Sequence, residues 1–187
     1  TPGELAAMID LGHEAFQKLE DLKIPTIATI HGACLGGGFE LALACDWRIA
    51  SDDRCTKIGL PETKLGILPA WGGSTRLPKL IGLPKALPLI LGGTVLSASG
   101  AKIKQLIDQV VPKEHLSSVA AKLISQGKRE PNPHSILNNI ASARIIETQA
   151  RKDIMKRTRG LYPAPLKALK VACQSVHHSD KVSFRKE

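Results

Sequence analysis

Thr26-Ile27-Ala28-Thr29-Ile30-His31-Gly32-Ala33-Cys34-Leu35-Gly36-Gly37-Gly38-Phe39-Glu40 holds the pattern on which the reading of this chain turns. β-Branched residues at 26, 27, 29 and 30 read as a buried strand, bounded by Pro25 on one side and His31-Gly32 on the other. Three glycines then open a run of short apolar residues, Phe39 to Cys45, that suits a helix. A strand, a glycine turn and a helix in that order expose backbone N–H groups at a helix N-terminus, where negative charge is stabilised. Glycine also lets a ligand come close to the backbone. A phosphate would suit such a site, and so would a thioester oxygen turning into an enolate. The G-x-G-x-x-G spacing and the P-loop lysine are both missing, which disfavours a nucleotide. Glu40 stands in the first turn of the helix. A carboxylate there serves either the helix dipole or acid–base chemistry beside the exposed N–H groups.

Working outward, Ile58-Gly-Leu-Pro-Glu-Thr-Lys-Leu-Gly-Ile-Leu-Pro-Ala-Trp-Gly-Gly73 is a Pro- and Gly-shaped stretch with one acidic residue, Glu62, among apolar ones. Partial burial would raise the pKa of Glu62 and make it a better proton donor near neutrality. Trp71, Leu65 and Leu68 are candidates to line an apolar pocket. The alternative is that Glu62 caps a turn and Trp71 is ordinary core.

The flanking segments read as alternating elements. Glu4–Leu22 has apolar residues at a helical period, and Trp47–Ala50 and Thr56–Gly59 read as short strands. A short helix follows Gly72-Gly73-Ser74 and stops at Gly82, and Pro84 opens the next. Ser97 caps a helix over Ala98–Leu106, and Asp108–Val111 is extended. Strands alternating with helices argue for parallel pairing. Beyond Pro112 the chain reads as helices, over Glu114–Ser125, Ser135–Arg159 and Leu166–Val176, with Pro163-Ala-Pro165 breaking the pattern. The expected division is an α/β core over 1–112 and a helical region over 113–187.

Composition narrows the classes. Hydrophobic residues make up 43% of the 187 residues but aromatic ones only 3%, so the core must be aliphatic. No run is apolar enough to span a membrane, and no secretory signal is visible at the start. Four cysteines without a C-x-x-C pair fit neither a zinc-finger spacing nor a disulfide framework. They read as free thiols of a reducing compartment, and no metal is expected. The net charge of +9 attracts polyanions, yet no aromatic residues interleave with the basic ones as stacking platforms. Nucleic-acid binding is therefore disfavoured.

Taken together, P-T-I-A-T-I-H-G-A-C-L-G-G-G-F-E-L-A-L-A-C-D and I-G-L-P-E-T-K-L-G-I-L-P-A-W-G-G resemble the crotonase (enoyl-CoA hydratase/isomerase) family. Pro61–Ile67 and Tyr162-Pro-Ala-Pro165 look like the hydratase half of bacterial multifunctional fatty-acid-oxidation enzymes. The resemblance implies an α/β crotonase-like spiral of ββα units, followed by a helical C-terminal region that includes a connecting helix. It implies that Gly37 supplies an oxyanion N–H, that Glu40 activates water, and that Glu62 handles the proton at the α-carbon. Ala70 falls where many relatives carry glycine, so its methyl would narrow the site, and Trp71 adjoins it as a substrate-binding candidate. Asp46 matches the family with a structural role. The implied reaction is hydration of trans-2-enoyl-CoA to 3-hydroxyacyl-CoA, with isomerase activity as an addition. No cofactor is needed, because coenzyme A arrives as part of the substrate.

The same resemblance implies partners and a setting: an acyl-CoA thioester, a dehydrogenase half, a thiolase subunit, self-association, and the bacterial cytoplasm, with the mitochondrial matrix as alternative. It also implies that part of the spiral, holding the second oxyanion N–H and much of the coenzyme A cleft, precedes the position of Thr1. The chain by itself is then expected to be an N-terminally incomplete domain with little activity. Competing readings are an inactive interaction piece of such an enzyme and an RNA-binding relative on the same fold.

Overall fold

The computed structural model describes residues 1–129, 140–176, 180–184 and 187. It opens with helix α1 (Pro2–Glu20), whose first turn carries a capping box between Thr1 and Glu4. Two strands follow, β1 (Ile27–Ile30) and β2 (Ala33–Leu35), and then α2 (Gly37–Leu43). The next two strands are β3 (Trp47–Ser51) and β4 (Lys57–Gly59), followed by a 3-10 turn (Glu62–Leu65), α3 (Gly73–Ile81) and α4 (Leu83–Leu91). After these come β5 (Val95–Ser97), α5 (Ala98–Ile103) and β6 (Gln109–Val111).

The strands form two small sheets, ordered β1-β3-β6 and β2-β4-β5. The first two turns of the chain each lay one strand on the first sheet, bend at a corner, and lay the next on the second; the third lays β5 on the second sheet before β6 on the first. Ile27 to Ile30 pair with Trp47 to Ala50, and Ala33 to Leu35 with Lys57 to Gly59, both in parallel. This is the expected α/β spiral of ββα units. The expectation of parallel pairing fails at β5, which runs antiparallel to β4. Thr94-Val95-Leu96 returns from α4 by a tight turn at Gly92-Gly93, and three residues between glycines and a helix cap carry too little periodicity to be read as a strand.

Element ends follow local chemistry. Ser97 caps α5 by accepting from the Gly100 N–H. The helix stops at Ile103 rather than Leu106, because Gln105 adopts a left-handed φ of 66°. Leu106 and Ile107 are instead buried in the core.

The helical stretch beyond 112 packs on the spiral. Helix α6 (Leu116–Ile124) covers β1 and β3, with Leu116, Ala120 and Leu123 on Ile49. Helix α7 (Ile140–Thr158) packs on α8 (Pro163–Ser175), which lies against α3 and α4. The expected start of α7 at Ser135 falls outside the described residues. Pro163 and Pro165 do not break α8 but occupy its first turn, where a missing N–H costs nothing. Helix α9 (Asp180–Phe184) ends the described elements. The main core joins Phe39, Ile58, Leu60 and Leu77 to Leu169 and Ala172 of α8.

Two polar groups, one buried and one half-buried, tie the layers. Arg48 is 2% exposed and donates to the carbonyls of Ala42, Cys45 and Leu106; burial brings its pKa down to about 10. Asp46 accepts from the N–H and hydroxyl of Thr26, as its structural reading anticipates.

Candidate active site

Gly36 is the N-cap of α2, with φ 55° and ψ −130°, a backbone state that side chains resist. Its carbonyl accepts from both Phe39 and Glu40, so the N–H groups of Gly37 and Gly38 are left to the helix N-terminus. Helix α2 buries Phe39, Glu40, Ala42 and Leu43. Glu40 therefore faces inward and is only 3% exposed. Its Oε1 accepts from the N–H groups of Trp71 and Gly73, each at 2.8 Å, so one carboxylate oxygen holds the loop before α3.

Glu62 opens the 3-10 turn and is also buried. Thr63 fastens that turn to α4 by donating to the Ile90 carbonyl, and the Tyr162 hydroxyl donates to the Thr63 carbonyl at 2.5 Å. The Glu62 carboxylate itself has both oxygens buried with no hydrogen-bond partner among the described residues. It caps no turn. A methyl placed on Gly36 would stand 3.1 Å from Glu62 Oε1, and one on Gly37 would stand 3.9 Å from Glu40 Oε2. The two carboxylates thus flank adjacent residues of the same glycine turn.

Burial pushes the Glu40 carboxyl up to about 8, against the two N–H bonds that favour its charge, and the carboxylates of Glu187 and Glu62 add repulsion. Burial pushes Glu62 upward as well. Closeness of two acids is thus the smallest contribution, and loss of water the largest.

Trp71 is half-buried, with its ring wedged between α1 and the glycine turn. Methyls on Gly12 and Gly37 would fall 2.5 and 2.7 Å from indole atoms, and Phe16 meets the ring edge-on at 6.0 Å. Ala70 is half-buried beside it. Leu68 packs on the core, while Leu65 is 74% exposed and lines nothing.

A polar layer behind the loop has no counterpart in the sequence reading. Gly72 N–H and the Thr75 hydroxyl donate to the Glu187 carboxylate, both at 2.6 Å, with His13 Nε2 3.3 Å away. Arg76 donates to the Trp71 carbonyl and twice to Glu20, and its guanidinium covers Phe184. These groups come from α1, α3 and the end of the chain, so no local spacing announces them. The signal available was Arg76 itself, a charge on an otherwise buried face of α3.

Known proteins share this architecture. The chain is 43% identical over 183 residues to the fatty acid oxidation complex subunit alpha of Shewanella putrefaciens, covering 94% of this chain and 26% of the relative. It is 45% identical over 177 residues to the protein of that name in Vibrio vulnificus, covering 91% and 25%. The chain thus spans about a quarter of the length of these relatives. An enoyl-CoA hydratase crystal structure from Bacillus anthracis superposes with a TM-score of 0.63 at 32% identity, covering 97% of this chain and 66% of that one. The family model for enoyl-CoA hydratase/isomerase matches residues 6–165. With the glycine turn, both glutamates and the spiral inside that span, the chain belongs to the enoyl-CoA hydratase/isomerase family.

Proposed function

We propose that this chain contributes the acid–base pair for hydration of trans-2-enoyl-CoA to 3-hydroxyacyl-CoA in fatty-acid β-oxidation. The observation that carries the reading is Glu62, a buried carboxylate with neither oxygen bonded among the described residues, beside a glycine turn that Glu40 also flanks. A structural carboxylate is satisfied by protein donors; one kept without them is available to a substrate.

In this reading the thioester oxygen accepts from the Gly37 N–H, which stabilises the enolate as it forms. Glu40 takes a proton from water, the hydroxyl adds at the β-carbon, and Glu62 gives its proton to the α-carbon. A further proton exchange with solvent resets the pair. Isomerisation needs only Glu62, which removes a proton from one carbon and returns it to another. Ala70 keeps its N–H toward the site while its methyl narrows it, and Trp71 shields the turn from water. Coenzyme A enters as part of the substrate, and no other cofactor is required.

The relatives are named as subunits of a fatty acid oxidation complex. We extend this to a dehydrogenase half and a thiolase subunit as partners. Among the described residues no helix is long and apolar enough to cross a membrane. The setting that fits bacterial relatives is the cytoplasm.

The test is 2-enoyl-CoA hydration by the native-length protein. Glu40→Gln and Glu62→Gln each lower turnover by orders of magnitude with little change in KM, because both act in the transition state. Near-wild-type turnover in either variant removes that residue from the mechanism. Isomerase turnover falls with Glu62→Gln and is spared by Glu40→Gln.

A further inference from the structure

His31 belongs to the decisive stretch, yet nothing in the proposed chemistry uses it. It sits at the corner where the chain leaves β1 for β2. The next turn of the spiral makes the same passage from β3 to β4 at residues 52–56. Because β1 pairs with β3 and β2 with β4, the second corner lies directly against the first. There it presents Asp53 and Cys55. One donor atom from each of His31, Asp53 and Cys55 lies within 4.8 Å of the others.

We propose that His31, Asp53 and Cys55 form a surface site for a divalent metal of borderline softness, zinc in the first place. Imidazole nitrogen, carboxylate oxygen and thiolate sulfur together are the ligand set of zinc rather than of calcium or magnesium, which take oxygen alone. Three protein ligands leave the fourth tetrahedral position to water.

The ligands are held before any metal arrives. His31 Nδ1 is 2.9 Å from Ser51 Oγ, which is 2.6 Å from Thr56 Oγ1. Ser51 and Thr56 are both fully buried, so the ring is braced from below and Nε2 is its remaining nitrogen. Such bracing of a ligating imidazole is the usual supporting arrangement in metal sites. Asp53 Oδ1 accepts the Cys55 N–H at 2.9 Å, which fixes the two donors of the second corner relative to each other. All three ligands are exposed, so entry needs no opening.

The absence of C-x-x-C spacing does not bear on this site, because two of its ligands come from one turn of the spiral and the third from the turn before. Binding converts the Cys55 thiol to thiolate and releases its proton to solvent. The metal then clips two consecutive spiral turns together at their corner and stabilises the fold by mass action.

The experiment is titration of the reduced full chain with Zn²⁺ by calorimetry and with Co²⁺ by absorption. The expected result is one zinc per chain, a thiolate-to-cobalt charge-transfer band, and a Tm that rises with zinc. Cys55→Ser, an exposed and conservative change, abolishes the charge-transfer band. It also weakens zinc binding by more than the roughly 10- to 100-fold that loss of a supporting partner costs. Ser51→Ala, which removes only the brace, weakens binding within that range. No zinc heat and no cobalt band in the folded wild-type chain would overturn the proposal. So would a band that persists undiminished in Cys55→Ser, which would place the metal on another cysteine.

Discussion

Glu40 makes a measurable demand on the fold. Its carboxyl ordinarily ionises near 4.5 and in this fold near 8, so the folded state holds its proton more tightly than the unfolded chain does. The sign follows: this stability is present in full below about pH 4.5 and is lost once the pH has risen through about 8. Across that window the loss is about 1.4 kcal/mol per pH unit for one such proton. Glu40→Gln keeps an oxygen for the Trp71 and Gly73 N–H groups but has no charge to bury. The stability advantage of Glu40→Gln over wild type, from denaturant unfolding, should therefore grow steadily from pH 5 to pH 8; a pH-independent difference refutes it. At this scale the sequence was informative where a residue sits inside a long motif, as Glu40 and Glu62 do. It was silent on His13 and Gly72, which meet Glu187, and on Arg76, which covers Phe184, each across more than 100 positions of chain. It gave the right cause for the raised pKa of Glu62, since an acid set among apolar, Pro- and Gly-shaped neighbours is expected to lose water, and burial is the main cause for both glutamates.

Short elements are where local reading fails and packing decides. β5 is three residues long and was not anticipated, yet it sets the geometry of Gly59. A methyl on Gly59 would stand 2.2 Å from the carbonyl oxygen of Thr94, just before β5; Gly59 itself pairs with Val95 of β5 on one side and Leu35 of β2 on the other. Gly59→Ala should destabilise by about 1–3 kcal/mol, the range for overpacking a closed site. It should also lower activity by displacing the turn that carries Glu62. Gly3→Ala is the matched control: its methyl meets nothing within 4 Å, and alanine in a helix is favoured by up to about 1 kcal/mol. Thermal unfolding of the pair checks both, and equal effects would contradict the argument. The Pro163-Ala-Pro165 segment teaches the converse. Proline reads as a break when periodicity alone is weighed, but at a helix start its fixed φ and missing N–H are assets.

The molecule as a whole was legible as a spiral because its signature is long and ordered, while the way its helical stretch supports the site was not. Tyr162, just before α8, bonds to the turn that carries Glu62. Tyr162→Phe removes one hydrogen bond, so stability should fall by about 1 kcal/mol. Turnover should fall more than KM rises, because Glu62 is less firmly placed; unchanged kcat would sever that link. A larger consequence follows from the strand register. Leu35 and Gly59 stand side by side in neighbouring strands, and each strand runs on, within a few residues, to one of the two glutamates. The gap between the acids is therefore anchored to the repeat of a hydrogen-bonded ladder, roughly 4.8 Å, and not to the reach of flexible side chains. That makes the backbone the ruler of the reaction. Substitution around the site can change what fits between the carboxylates, whereas only adding or removing residues in the strand-to-turn passages can change how far apart they stand.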